Sequence, residues 1–258
     1  MKKLLVGMIV LLAATATVAT AEEAAMDDMG VTLDVTYVSK YIWRGFDLYD
    51  NKGAVQPSVD IDLGGGFSAN VWMSYAGASG AVNGTEYDYT LAYSGSVLDD
   101  SVWKTNYSLG WTYFDYIDTS SKDADTMEVF LTGEMPALTG CDIVPHFAIF
   151  QGWTAQSGGD NRDYGGTIYL MGLGYDFTLD QAPELPMSFT WDIVYNDGTG
   201  GSSVDHDWSH MVWGLSTSMT CPATGGTISP GIYFQNSFEK SVNTQDELWA
   251  GISYSLSF

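Results

Sequence analysis

The sequence predicts an all-β fold: an antiparallel up-and-down transmembrane β-barrel of about 12 strands that follows a cleaved signal peptide. Three observations predict it. Apolar and polar residues alternate with period two along nearly the whole chain, the alternating segments run to roughly ten residues, and no stretch beyond the N-terminus is apolar enough for a spanning helix. Strands of that length cross a bilayer, whereas strands of soluble proteins average nearer five or six residues.

The N-terminus carries the marks of export. Lys2 and Lys3 precede an apolar run from Leu4 to about Ala14, and Ala19-Thr20-Ala21 has the A-x-A form of a signal-peptidase site. Cleavage there gives residues 1–21 as signal peptide and a mature chain from Glu22. Retention as an uncleaved anchor is the rival reading. Residues 22–30 form a short N-terminal segment, and residues 31–258 a single barrel.

The strands follow in order. Val31, Leu33, Val35, Tyr37, Tyr41 and Trp43 alternate with Thr32, Asp34, Thr36, Lys40 and Arg44. Val55, Pro57, Val59, Ile61 and Leu63 then oppose Gln56, Ser58, Asp60 and Asp62. Phe67 to Tyr75, Tyr87 to Tyr93, Trp103 to Tyr113, Met127 to Leu131 and Ile143 to Ile149 repeat the pattern. Residues 166–177 and 208–219 are ambiguous, because they are apolar on both faces. Met187 to Tyr195 and Ile228 to Phe234 alternate again. The chain ends on Leu248, Ala250, Ile252, Tyr254, Leu256 and Phe258, opposite Glu247, Trp249, Gly251, Ser253, Ser255 and Ser257. In lipid an open sheet edge would leave backbone groups unpaired at several kcal/mol each, so the sheet must close. An even strand count places both termini on one side.

The connections alternate in kind. Residues 63–66, 94–101, 134–141, 179–186 and 221–226 are turns rich in Gly, Pro, Asp and Ser. Residues 115–126, 152–166 and 196–207 are mostly longer and more acidic, as in barrels with short periplasmic turns and long outer loops. Tyr37, Tyr41, Trp43, Tyr87, Tyr93, Trp103, Tyr113, Trp191, Tyr195 and Tyr254 fall toward strand ends on the apolar face, as an aromatic girdle does. The aromatic core of a soluble β-sandwich or lipocalin-like barrel uses similar residues and is the alternative.

Charge narrows the partners. Lys and Arg number 9 against 32 Asp and Glu, a formal net charge of −23. Such a field repels nucleic acid and attracts cations. Cys141 and Cys221 are a candidate disulfide if the compartment is oxidising; a pair of free thiols is the other reading, and two cysteines alone do not make a zinc site.

The final stretch, ending on Tyr254, Leu256 and Phe258, resembles the C-terminal assembly signal of bacterial outer-membrane β-barrels. The resemblance implies recognition by the barrel-assembly machinery and pairing of the last strand with the first. Val38, Ser39, Tyr41, Trp43, Arg44, Gly45 and Gln56 resemble the V-S-x-Y-x-F/W-R-G start of a family of uncharacterised bacterial outer-membrane β-barrel proteins, with "AVQPS" departing from the usual proline-first order. That resemblance implies a location and a fold and brings no biochemical activity.

Candidate site residues follow from the polar face. Arg44 and Lys40 lie there near the outer end of the first strand, where a cation opposite Asp34, Asp60 or Asp62 would brace the lumen and set ion preference. Asp115, Asp118, Asp123, Asp125, Asp160, Asp163, Asp197, Asp205 and Asp207 concentrate carboxylates in the loops. They form either a solvated face or weak sites for divalent cations that bridge to lipid headgroups. No cofactor beyond such cations is expected. His206, Asp207, Ser209 and His210 hold ingredients for nucleophilic chemistry, but His206, Asp207 and Ser209 would not share one strand face, so the chain is read as no enzyme. His146 reads as a hydrogen-bonding lumen residue.

Porin-like passage of small cationic or neutral solutes is the expected function. A non-conducting structural or binding barrel acting through its acidic loops is the alternative, because inward Trp72, Phe130, Phe150, Tyr233 and Trp249 could fill a lumen this narrow. Expected partners are outer-membrane lipid, the assembly machinery and small solutes; the oligomeric state is open.

Overall fold

Alternation of apolar and polar side chains suits a wall with lipid on one side and water on the other, and the chain builds that wall. The computed structural model describes residues 29–76, 85–161 and 164–258. The signal peptide and most of the 22–30 segment lie outside the described residues, as does Asp163.

The strands are β1 (Val31–Val38), β2 (Ile42–Trp43), β3 (Phe46–Asp47), β4 (Ala54–Gly64), β5 (Phe67–Ala76), β6 (Glu86–Val97) and β7 (Thr105–Tyr116). One helical turn, α1 (Ser121–Ala124), precedes β8 (Thr126–Glu134), β9 (Ile143–Thr154), β10 (Gly165–Leu179), β11 (Ala182–Asp197), β12 (His206–Thr217), β13 (Met219–Thr220), β14 (Thr227–Ser237) and β15 (Glu247–Ser257). Each wall strand pairs antiparallel with its neighbours in chain order. β12 and β13 both pair with β14 and are two pieces of one stave, which leaves twelve staves in the wall.

The ring closes where the chain begins and ends. β1 pairs with β15 from Thr32↔Ser257 to Val38↔Gly251, and Phe258 N donates to the Val31 carbonyl at 2.9 Å. Closure leaves no wall edge, which is what a sheet in lipid requires. The start of β1, the end of β15 and the tight turns lie at one end; the connections that leave β1, β7, β9, β11 and β14 start from the other.

The outer face is apolar and unpartnered. Leu33, Leu91, Met171, Leu248 and Ile252 are all exposed, Leu91, Met171 and Leu248 by more than half. A belt of large aliphatic residues open to the surroundings is unfavourable in water and favourable in lipid. Tyr37, Tyr93 and Trp103 stand exposed near its margins as expected.

The two ambiguous segments are β10 and β12, and their second apolar face has a cause. Ile168 and Leu170 of β10, and Val212 of β12, point inward to a level where the lumen is packed rather than wet. What packs it is the first connection. β1 stops at Val38 instead of running on to Arg44, so Tyr41 and Trp43 are not girdle residues: Tyr41 is buried beside Tyr49 and Ala54, with Trp43 and Trp72 against them. Once the chain leaves the wall, strand parity no longer says which way a side chain points.

Candidate functional site

The site is the hairpin that residues 39–53 lay across the lumen. Its entry is made by Ser39. Ser39 N donates to the Ala250 carbonyl at 2.8 Å, while Ala250 N donates to the Ser39 hydroxyl at 2.9 Å, in place of a strand carbonyl. The side chain thus closes the β1–β15 ladder and frees the backbone to turn inward. The chain returns at Gly53, where a Cβ would press on the Tyr37 hydroxyl and the Val38 carbonyl.

Within the lumen β2 and β3 pair Ile42 with Asp47 and Trp43 with Phe46, leaving Arg44-Gly45 as a two-residue turn. Both have positive φ, 46° and 98°, the sign pattern of a type I′ hairpin turn. Glycine at the second position adopts it freely. It is also required there on space, because a Cβ on Gly45 would meet the His210 ring and Val242. Arg44 holds a left-handed conformation uncommon for a side-chain-bearing residue, and its contacts account for that.

Those contacts span the barrel. Arg44 Nη1 and Nη2 donate to the two carboxylate oxygens of Glu128 on β8, at 2.5 and 2.7 Å. The guanidinium also lies over the Phe150 ring of β9, 3.5 Å from its centroid. A bidentate fork with a ring beneath it is a geometry open to arginine and closed to lysine. Lys40 Nζ donates to Glu247 Oε2 of β15 at 2.7 Å. Tyr41 donates to Glu86 of β6 at 3.0 Å, and Gln235 Nε2 of β14 donates to the Gly45 carbonyl at 2.9 Å. Burial, and then the nearby Glu86 charge, push the Tyr41 hydroxyl well above its ordinary value, so it stays a donor to that carboxylate.

The expected partners of Arg44 are therefore corrected. Asp34, Asp60 and Asp62 do line the lumen, but toward the short-turn end, below the hairpin. Asp34 accepts from Thr36 and Ser255, Asp60 from Asn70, and Asp62 from Gly64 N. Arg44 instead reaches Glu128, nearly opposite in the ring, because the hairpin carries it away from its own stave. Glu86, Asp88, Glu128, Asp192 and Glu247 ring the hairpin level, and none of the five is among the site residues that the sequence predicts, although alternation already puts Glu247 on a polar face. Their polar-face parity was the available signal.

A second lumen bridge crosses β10. His146 Nε2 on β9 and Asp192 Oδ1 on β11 stand 2.6 Å apart, over Gly172. A Cβ on Gly172 would collide with both atoms, so glycine there lets a pair form between staves that are not neighbours.

The Ser/His pair is in contact. Ser209 Oγ and His210 Nδ1 lie 2.7 Å apart, at a bulge where the pairing with β11 slips between Val194 and Tyr195. Both are buried, Ser209 at 1% exposure with its hydroxyl 3.3 Å from the Val194 carbonyl, and Asp192 bonds His146 rather than His210. The pair stitches the bulge, and among the described residues no carboxylate is hydrogen-bonded to it.

The cysteines are unbridged. Cys141 and Cys221 sit in turns separated by the three strand steps from β9 to β12, roughly 14 Å at the usual strand spacing, beyond the roughly 7 Å Cα separation a disulfide spans. Loop acids tie connections together as well as folding their own: Asp123 accepts from Asp160 N and Asp118 from Thr85 N, both outside their connection, while Asp125 accepts from Tyr116 N and Asp197 pairs with His206. Among the described residues no three His, Cys, Asp or Glu side chains cluster closely enough to hold a metal ion.

The barrel has a family. Residues 22–247 match the family described as bacterial protein of unknown function (Gcw_chp). The chain belongs to the Gcw_chp family. Curated proteins supply no match. Among solved structures, the Gcw_chp chain is similar to the NanC porin at 10% identity and TM-score 0.53, over 87% of this chain and 98% of that one. It is similar to the KdgM porin in complex with disordered oligogalacturonate, at 10% identity and TM-score 0.53, over 88% and 99%. An outer-membrane channel from Pseudomonas putida F1 follows at 8% identity and TM-score 0.50, over 89% and 94%. This chain thus shares the fold of outer-membrane porins, a closed antiparallel barrel.

Proposed function

We propose that this Gcw_chp barrel resides in the outer membrane and passes small cationic or neutral solutes through a lumen narrowed by the 39–53 hairpin. The observation that carries this reading is the distribution of lumen charge. Asp34, Asp60, Asp62, Glu86, Asp88, Glu128, Asp192 and Glu247 face the interior, and the hairpin's Lys40 and Arg44 are each already paired with one of these acids. Carboxylates on the walls of a confined aqueous path raise the local concentration of cations and lower that of anions. The polyanionic ligand of the KdgM structure is therefore not a ligand expected here.

Planar-bilayer recording of the refolded mature chain under a salt gradient tests this. Small steps with cation selectivity, weakened when Asp60 and Asp62 are both changed to Asn, are expected; stable insertion without conductance overturns it. That second outcome would favour a non-conducting barrel, a reading supported by the loops that close on the hairpin, where a Cβ on Gly200 would press on Phe46 and one on Gly45 would press on Val242. The proposal includes cleavage after Ala21, and the family match begins at residue 22. It also includes delivery by the assembly machinery through the strand ending on Phe258. Weak divalent-cation binding at the loop acids, with no dedicated cofactor and no enzymatic activity, completes it.

A further inference from the structure

Beside the hairpin tip the lumen wall leaves a cavity of about 180 Å³. That is far above the roughly 10–15 Å³ that holds one water and below the roughly 300 Å³ at which drug-sized pockets begin. It suits a solute of a few heavy atoms. Its lining includes Phe150, Trp249, Asp192, His210 and Gln235.

The uncommitted polar chemistry there is that of an acceptor. Gln235 is 0% exposed; its Nε2 donates to the Gly45 carbonyl and the Ser237 hydroxyl, both at 2.9 Å, and its Oε1 has no partner. A buried acceptor without a partner costs about 1–3 kcal/mol, so the site favours a donor. The cavity's cation, Arg44, has both terminal nitrogens engaged by Glu128 and its face on Phe150. An anion entering would meet a guanidinium already neutralised and a carboxylate at Asp192. A cation bearing N–H groups meets the Asp192 carboxylate, one oxygen of which His146 already holds, and the Trp249 side chain, with Gln235, whose enclosed oxygen has no partner, in the wall beside them.

We propose that this cavity is a binding station in the lumen for a small organic cation with N–H donors, of the alkylammonium or guanidinium class, its charge beside Asp192 and one donor on Gln235 Oε1. The proposal rests on the pore reading for its role and not for its existence.

Calorimetry on the full mature chain folded in detergent tests it with methylguanidinium, and with tetramethylammonium as a cation of similar charge and no N–H. Saturable binding of methylguanidinium and weaker binding of tetramethylammonium are expected. Asp192→Asn should weaken the first about tenfold. Asp176→Asn, a lumen-facing acid farther down β10, should leave it unchanged in a barrel of unaltered circular dichroism. Equal binding of the two cations, or equal losses in the two variants, overturns the station and leaves a diffuse acidic lumen. Recording with methylguanidinium present separates the two ideas: binding without conductance overturns the pore alone, and conductance without donor-selective binding overturns the station alone.

Discussion

At the scale of the residue, Arg44 is the side chain on which the lumen's arrangement turns. It holds Glu128, which is nearly fully buried, and crosses from one side of the ring to the other. Removing one member of a buried pair costs about 3–5 kcal/mol, because the remaining charge is left uncompensated. Arg44→Ala should therefore lower stability by about that much and raise single-channel conductance, read by denaturant titration and bilayer recording; unchanged conductance would show that the hairpin does not limit flow. Arg44→Lys should restore charge without the fork, and recover only part of the stability. Gly172 makes the second test. Gly172→Ala puts a methyl where His146 and Asp192 meet, and a loss of roughly 1–3 kcal/mol is expected from the forced rearrangement.

At the scale of the element, the hairpin is an insertion hung between two staves that are already in register. β1 pairs with β4 up to Val38↔Ala54, so the wall does not need residues 40–52 to align. Replacing them with a short Asn-Gly turn should give a barrel that still closes and conducts more; loss of β-sheet circular dichroism would refute this. Ser39→Ala removes the hydroxyl that ends the β1–β15 ladder and should cost about 1 kcal/mol. The β14–β15 loop carries a clamp with a definite pH sign. Asp246 accepts from Ser237 N and the Asn236 amide, which hold its carboxyl below the ordinary aspartate range. A carboxyl with a lowered folded value lends stability above its unfolded value, near 3.9, and loses it as pH falls through the folded one. The protection of the Ser237 amide, its exchange rate set against the intrinsic rate at the same pH, should thus hold at neutral pH and fall only below about pH 4.

At the scale of the whole molecule, the ring order fixes which turns and loops share an end of the barrel, and we predict that the end with the short turns faces inward. The turns bearing Cys141 and Cys221 share an end with Val31 and Phe258, while 198–205 lies at the opposite end. In intact cells a membrane-impermeant, polymer-linked maleimide should label a cysteine placed at Ser202 and spare Cys141 until the outer membrane is opened. The reverse pattern would invert the barrel. The exposed Cys141 thiol suits this assay, since the Thr139 hydroxyl bonded to it lowers its ordinary value toward the reactive thiolate.

What the sequence alone determined is the wall. Period two along strands such as β5 and β15 encodes which side chains meet lipid, and strand length encodes the solvent, so the staves, their order and the closure of the last on the first were legible without coordinates. These are local properties: each residue's face depends on its neighbours in the chain. The lumen was legible only where it follows parity, as for Asp34, Asp60 and Asp62. The tertiary structure decided the rest. Tyr41, Trp43 and Arg44 keep strand-like spacing in the sequence, yet Ser39 turns the backbone out of the wall before them, and from that point their surroundings are set by staves distant in the chain. That Arg44 meets Glu128, that Asp192 meets His146 across Gly172, and that Gln235 is left with a bare oxygen beside a cavity all follow from closing a ring. Ring closure brings together residues that no local pattern relates.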